Sequence, residues 1–263
     1  INIMKKYFKI IFIIFLSLGF LFQKAYSEES QKLLKVDWSF KGYFGKFDRG
    51  ALQRGYQVYS EVCASCHSMK YLSYRNLYEK GGPEFSKEEA KSIAASFEVT
   101  DGPNNDGEMF VRPAKLSDKF VMPFENVKAA QAANGGAYPP DMSVLAKARS
   151  GGVDYIYSVL LGYEDPPSGV TLDDGVYYNK YMYGNKIKMS QPLMDDAVEY
   201  SDGTKATEEQ MAKDVTTFLM WAAEPHLESR HKMGFKAILY LIILTILVYF
   251  SMKKIWSRIE SEV

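Results

Sequence analysis

Cysteine and histidine are scarce in this chain, two and three respectively among 263 residues. Two cysteines allow at most one disulfide, and a structural zinc site needs four ligands. Two of the histidines, His226 and His231, stand beside an apolar C-terminal run, away from the cysteines. Charge of one sign is not in excess: Lys plus Arg and Asp plus Glu each total 32. Composition therefore gives no pull toward nucleic acid or any strongly charged ligand. Internal repeats and low-complexity tracts are absent, which excludes a repeat array. Apolar mass is not lacking, at 47% hydrophobic and 14% aromatic residues. That is too much for a disordered chain, and the 19 tyrosines and 16 phenylalanines suggest a site walled by large flat side chains.

Two apolar runs lie at opposite ends. Residues 10–22 follow Lys5, Lys6 and Lys9 and precede Ala25-Tyr26-Ser27, a small-x-small exit. This order predicts a cleaved secretory signal peptide over residues 1–27, with an uncleaved N-terminal anchor as the alternative. A mitochondrial transit peptide would be Arg-rich and amphipathic, and this segment is neither. Residues 233–252 form a second run, whose 20 residues would span about 30 Å as a helix, the thickness of a bilayer's hydrocarbon core. Its lone charge, Lys236, lies near one end and can snorkel. Lys253, Lys254 and Arg258 follow, with Trp256 among them. The positive-inside rule makes residues 253–263 a cytoplasmic tail and places residues 28–232 outside, the side the signal peptide also predicts.

Between the runs the pattern is that of short helices in long loops. Asp48 can cap a helix over 48–62, whose apolar stripe includes Gly55. A glycine there weakens the helix by roughly 1 kcal/mol, so it predicts the close crossing of another helix. Further helices are expected over 87–97, 126–134, 143–149 and 153–161, with residues 100–107 (TDGPNNDG) as a turn. Residues 163–203 read as loop with a short strand at 176–178. Thr207-Glu208-Glu209-Gln210 is a capping box opening a helix that Pro225 ends or bends.

Both cysteines fall in Cys63-Ala64-Ser65-Cys66-His67. Two thiols three residues apart can reach the two vinyl groups on one edge of a porphyrin, and the next residue then falls beneath the iron as an imidazole ligand. The competing readings are a thioredoxin-like pair, half a zinc site and a plain disulfide. The first needs a βαβ setting, which is not evident; the second lacks ligands. Electron-carrying haem irons often pair His with Met. Met122, Met142, Met189 and Met194 all lie near prolines in suitable loops, and the Gly- and Pro-framed segment 184–192 favours Met189.

Five blocks resemble the cytochrome c1 family: RGYQVYSEVCASCHSMKYLSYRNL (54–77), DGPNNDGEMFVRPAKLSD (101–118), ANGGAYPPDMSVLAKARSGG (133–152), GVYYNKYMYGNKIKMSQPL (175–193) and FLMWAAEPHLESRHKMG (218–234). The resemblance runs in order from about residue 38 to 258. The Cys-x-x-Cys-His motif is common to all c-type cytochromes; the PPD-x-S and WAAEP blocks and the C-terminal anchor are specific. The resemblance implies thioethers at Cys63 and Cys66 and axial iron ligands at His67 and Met189. It also implies a haem pocket including Asn134, Pro139, Pro140, Arg149 and Tyr155, with Arg149 near a propionate. One departure stands out. The family's acidic cluster before the DGP turn is here Ala94-Ala95-Ser96-Phe97-Glu98, so an acidic docking surface would rely on pairs such as Glu164-Asp165, Asp173-Asp174 or Asp195-Asp196.

The expected fold is therefore mostly α, a cytochrome-c-like haem domain with long irregular loops plus one C-terminal transmembrane helix. One covalently attached haem c is the expected cofactor. The resemblance implies a subunit of ubiquinol–cytochrome-c reductase beside cytochrome b. It would take an electron from the Rieske iron–sulfur protein and pass it to a soluble or membrane-tethered cytochrome c, with membrane lipid as a further partner. No substrate bond would be made or broken at a site of its own. The expected location is a bacterial inner membrane, single-pass, with the haem domain periplasmic. A stand-alone membrane-anchored cytochrome, shuttling electrons or sensing a gas, is the rival reading.

Overall fold

Asp48 opens the first helix of the described residues, its Oδ1 accepting the amide of Ala51 at 3.2 Å. This helix, α1, runs Arg49–Val58 and passes without a break into a π-helical turn at Tyr59–Cys63. The computed structural model of the chain describes residues 32–260, so the expected signal peptide lies outside the described residues. After a 3-10 turn at Tyr74–Leu77 come α2 (Lys87–Ala95), the hairpin of β1 (Glu98–Asp101) and β2 (Phe110–Pro113), α3 (Val127–Ala133), α4 (Leu145–Ala148) and α5 (Gly152–Leu160). A second small ladder pairs β3 (Tyr177–Tyr178) with β4 (Lys186–Ile187) across a 3-10 turn at Tyr183–Asn185. The chain then forms α6 (Glu208–Ala223) and α7 (Leu227–Glu260). The domain is mostly helical with long irregular connections, as expected.

The crossing predicted at Gly55 is that of α1 on α6. A Cβ on Gly55 would lie 2.2 Å from the Asp214 carbonyl oxygen and 2.8 Å from Phe218 Cβ, so only hydrogen fits. One residue earlier, Arg54 clasps the buried Asp214 with two bonds, Nε to Oδ2 at 2.8 Å and a second terminal nitrogen to Oδ1 at 3.1 Å. Such fork-to-carboxylate pairing fixes direction as well as distance. Aromatic rings fill the space around this crossing: Tyr56 and Phe218 lie 5.8 Å apart, Phe218 and Trp221 5.4 Å, and Tyr74 and Phe120 4.9 Å. Each such fully buried ring contributes roughly 2–3 kcal/mol.

The entering strand of chain is pinned to α5 by one carboxylate. Asp154 accepts from Trp38 Nε1 at 2.6 Å, Lys35 Nζ at 3.0 Å and Lys41 Nζ at 3.3 Å. Burial opposes its charge, but these three donors outweigh that and hold its pKa below the usual carboxylate range.

Three expectations need correction. Residues 100–107 are not all turn: Thr100 and Asp101 pair with Val111 and Phe110 in the β1–β2 ladder, and the turn begins at Gly102. Arg112, bound to both Asp101 and Asp118, steadies that hairpin from the side. The capping box at Thr207 is half made. Its Oγ1 accepts the Gln210 amide at 3.2 Å, but the Gln210 side chain turns to Asp214 instead. The helix expected over 143–149 shortens to α4, because Asp141 and Ser143 are drawn into other contacts.

Pro225 separates α6 from α7 as expected, and α7 starts ahead of the apolar run. Leu227–Ser257 is long and apolar enough to cross a membrane. Glu224 locks the junction by pairing with both Lys147 of α4 and Arg230 of α7.

Candidate functional site

The motif's geometry begins in the π-helical turn. The Ala64 amide reaches back five residues to the Tyr59 carbonyl at 2.8 Å, an insertion that widens the helix just before the first cysteine. The amides of Cys66 and His67 both donate to the Cys63 carbonyl, at 3.1 and 2.9 Å. The chain therefore turns tightly and presents Cys63, Cys66 and His67 from one compact loop. The two sulfurs are not joined to each other.

His67 is held from both ends. The Tyr59 hydroxyl donates to its carbonyl at 3.2 Å, and its ring Nδ1 lies 2.8 Å from the Pro140 carbonyl oxygen. A carbonyl only accepts, so Nδ1 carries the proton and Nε2 is left with a free lone pair. Burial lowers the imidazole's pKa, against the raising effect of the Pro140 bond, and so favours the neutral ring. This is the form and tautomer in which histidine binds a metal.

The Pro140 carbonyl is itself held in place by the next residue. Asp141 accepts from Ser68 Oγ at 2.8 Å, the Lys70 amide at 3.0 Å and the Ser143 amide at 3.0 Å. The Met142 amide adds a backbone bond to the Ser68 carbonyl at 2.8 Å. Burial works against the Asp141 charge, yet these donors hold its pKa below the usual range. Sequence reasoning passed over Asp141. Its signal is the D-x-S spacing, in which an aspartate accepts from the amide two residues on.

The Met189 loop is built separately. Gly162, at the end of α5, allows Asn179 to approach within 2.8 Å of where a Cβ would stand. The fully buried Asn179 donates to the Val159 carbonyl at 2.8 Å and accepts from the Tyr181 and Met182 amides at 3.1 and 3.2 Å. The β3–β4 ladder follows, and the Tyr163 hydroxyl donates to the Met189 carbonyl at 3.1 Å. Met189 is half-buried, whereas Met122 and Met194 are exposed and Met142 is packed into the core.

The two halves meet through the segment 134–140. At one end Lys188 Nζ donates to the Gly135 carbonyl at 2.7 Å; at the other Pro140 holds His67. Pro139 and Pro140 are half-buried in it. Asn134 spends its side-chain amide on the Ala130 carbonyl at 2.7 Å, closing α3. Tyr155, from the first turns of α5, is half-buried and donates its hydroxyl to Met182 Sδ at 3.2 Å. Arg149 is exposed at the end of α4; its carbonyl accepts the Gly152 amide at 2.9 Å, and its guanidinium has no hydrogen-bond or ion-pair partner among the described residues. Of the acidic pairs, Asp195 is occupied in accepting the Glu208 amide at 2.9 Å. Glu164, Asp165, Asp173, Asp174 and Asp196 are exposed.

These residues fit a covalently held haem better than the competing chemistries. An attacking thiol in an exchange protein has a depressed pKa, but burial pushes the Cys63 thiol up to about 12. The cysteines follow a helix rather than a strand. Among the described residues no group of three or more His, Cys, Asp or Glu side chains is assembled to hold a metal ion. A neutral imidazole with a free Nε2, two unpaired sulfurs beside it and a half-buried thioether remain.

Known sequences resemble this chain over most of its length. A sequence model described as the Cytochrome C1 family matches residues 38–259. The chain is 49% identical over 261 residues to cytochrome b/c1 of Bradyrhizobium diazoefficiens, which covers 92% of this chain and 38% of that longer relative. It is 50% identical over 225 residues to a mitochondrial cytochrome c1 heme protein of Arabidopsis thaliana, covering 86% of this chain and 72% of the relative. Cytochrome c1 of Rhodospirillum rubrum is 45% identical over 250 residues, covering 89% and 91%.

Proposed function

Because the chain belongs to the cytochrome c1 family, we propose that it is the membrane-anchored haem subunit of a cytochrome bc1 complex, taking an electron from the Rieske iron–sulfur protein and passing it to a cytochrome c. The observation that carries this reading is the bond from His67 Nδ1 to the Pro140 carbonyl, directly after the paired cysteines. It leaves a neutral, oriented imidazole with one nitrogen free.

Cys63 and Cys66 would hold one haem c through thioethers, and His67 and Met189 would be the axial ligands. Bound there, the haem would supply a one-electron iron couple, which a His/Met pair biases toward the ferrous state. The chain's own work is positioning. Asp141 fixes Pro140, Pro140 fixes the plane and tautomer of His67, and Tyr163 with the β3–β4 ladder fixes Met189. Asn134, Pro139, Pro140 and Tyr155 would wall the pocket, and the exposed Arg149 would face a propionate. Oriented ligands of this kind limit rearrangement when the iron changes charge.

The domain of residues 28–232 would stand on the periplasmic face of a bacterial inner membrane. Residues 233–252 would span the membrane beside cytochrome b, and residues 253–263 would form a cytoplasmic tail. The signal-like N-terminus and the cluster Lys253, Lys254 and Arg258 support that orientation. Relatives include one named as the catalytic subunit of a mitochondrial cytochrome b-c1 complex, which supports assembly into such a complex. The test is purification from native membranes through a tag on this chain. Cytochrome b and a Rieske protein should copurify, whereas recovery of the chain alone would favour a stand-alone cytochrome.

A further inference from the structure

Where α7 meets the membrane, the chain displays a second apolar element that the electron-transfer reading does not use. Residues 41–46 (KGYFGK) form a tight turn, in which the Gly45 amide donates to the Gly42 carbonyl at 3.3 Å. Its base is rigid: Phe40 and Phe47 are buried with rings 5.2 Å apart, and the Lys46 amide donates to the Ser39 carbonyl at 3.0 Å. Gly42 takes φ +84°, and a Cβ on Gly45 would lie 2.3 Å from the Phe40 backbone, so the turn needs both glycines. Yet its tip is apolar and open, with Tyr43 86% and Phe44 74% exposed.

The turn is fastened to the start of α7. The Phe47 amide donates to Glu228 Oε1 at 2.9 Å, and Arg49 pairs with the same carboxylate. His231 Nδ1 lies 3.3 Å from the Gly45 carbonyl oxygen, and Phe44 packs on Phe235 with ring centres 5.8 Å apart. The apolar run begins at Met233, with Lys236 its one charge, so Phe235 lies only about 3 Å into it at 1.5 Å per residue. Phe44 is thus level with the boundary where hydrocarbon begins. Lys46, Lys232 and Lys236 are exposed around it and pair with no carboxylate among the described residues. Rigidly displayed aromatics ringed by unpaired lysines match the amphipathic layer between acyl chains and phosphates.

We infer that the 41–46 turn is a second membrane contact, with Tyr43 and Phe44 seated among lipid acyl chains and Lys46, Lys232 and Lys236 on lipid phosphates. One transmembrane helix alone lets a domain tilt and rotate; a second contact off the helix axis fixes the height and tilt of the electron-transfer domain. The proposal rests on α7 being the membrane anchor.

The test places the photocrosslinker p-benzoylphenylalanine at position 43 or 44 of the full chain in native membranes. Position 244, mid-way along α7, and position 183, where Tyr183 is 79% exposed in another loop, serve as references. After irradiation, mass spectrometry should find lipid adducts at 43, 44 and 244 and none at 183. Lipid adducts at 244 with protein adducts, or none, at both 43 and 44 would overturn the inference while leaving the anchor intact. Loss of lipid adducts at 244 would overturn the anchor reading and this inference with it.

Discussion

The carbonyl oxygen of Pro140 lies 2.8 Å from Nδ1 of His67, and this one bond sets which imidazole nitrogen is free. It joins residues 73 positions apart in the chain, so the site depends on how the 134–140 segment is held against the motif loop. Asp141 does most of that holding through its bonds to Ser68, Lys70 and Ser143. Asp141→Ala should destabilise the domain by about 2–3 kcal/mol, since bonds to a charged acceptor are the stronger kind. Asp141→Asn should cost less. Thermal denaturation of the two variants checks the order, and equal stability of Asp141→Ala and the unmodified chain would refute the role.

Much of this was legible in the sequence, and the remainder was hidden for physical reasons. Asp48 and Thr207 cap helices as read, because capping is a local property of the chain. Gly55 announced a helix crossing because a glycine on a buried stripe has few other uses. The π-helical turn at Tyr59–Cys63 left no local mark, since inserting a residue into a helix is decided by what it packs against. The hairpin was missed because the turn residues of 102–107 dominate their window, while the pairing partners stand beyond it. Asp154, inside the helix expected over 153–161, takes its role from Lys35, Trp38 and Lys41, which lie far away in sequence. The site divides in the same way. Cys63, Cys66 and His67 are proposed from spacing and Met189 from its Gly- and Pro-framed loop together with the family resemblance, whereas Asp141 and Asn179 act through contacts that sequence does not display.

Gly55→Ala tests the crossing of α1 on α6. Helix propensity alone would favour alanine by about 1 kcal/mol. The new methyl, however, would stand 2.2 Å from the Asp214 carbonyl oxygen and 2.7 Å from its carbon, which are backbone atoms that cannot swing aside. Overpacking should win, with a net loss of about 2–3 kcal/mol. A denaturant midpoint at or above that of the unmodified chain would show that the two helices separate freely.

Acid stability should reflect Glu224. Paired with Arg230 first and Lys147 second, its carboxyl has a pKa near 2 in the folded protein. Unfolded glutamate titrates near 4.3, so the unfolded chain takes up the proton first as pH falls. The stabilisation is therefore fully present above about pH 4.3 and fades as pH drops toward 2. Both partners are half-exposed or more, so Glu224→Gln should cost about 1 kcal/mol at neutral pH. It should also flatten the pH dependence of the melting temperature across that window; an unchanged slope would count against the pair.

Haem attachment is tested by replacing both cysteines. The Cys63→Ala, Cys66→Ala double variant should lose all haem on acid extraction, while the unmodified chain keeps it through denaturing electrophoresis. Haem that survives in the variant would refute attachment through this motif.

Met189→Leu tests the second axial ligand. The swap roughly conserves volume, so the fold should lose less than about 1.5 kcal/mol. Without the thioether the reduction potential should fall by roughly 100 mV or more, and carbon monoxide should bind the reduced iron. Met142→Leu and Met194→Leu, in the core and on the surface respectively, should leave both properties unchanged. An unaltered potential in Met189→Leu would place the ligand elsewhere.

Electron flow itself gives the most direct measurement. The complex purified through this chain should be mixed with a quinol in a stopped-flow spectrometer while c-type haem absorbance is followed. The account predicts prompt reduction of the haem by quinol, abolished when the Rieske protein is stripped away and restored when it is added back. Reduction by ascorbate but not by quinol in the intact complex would contradict it.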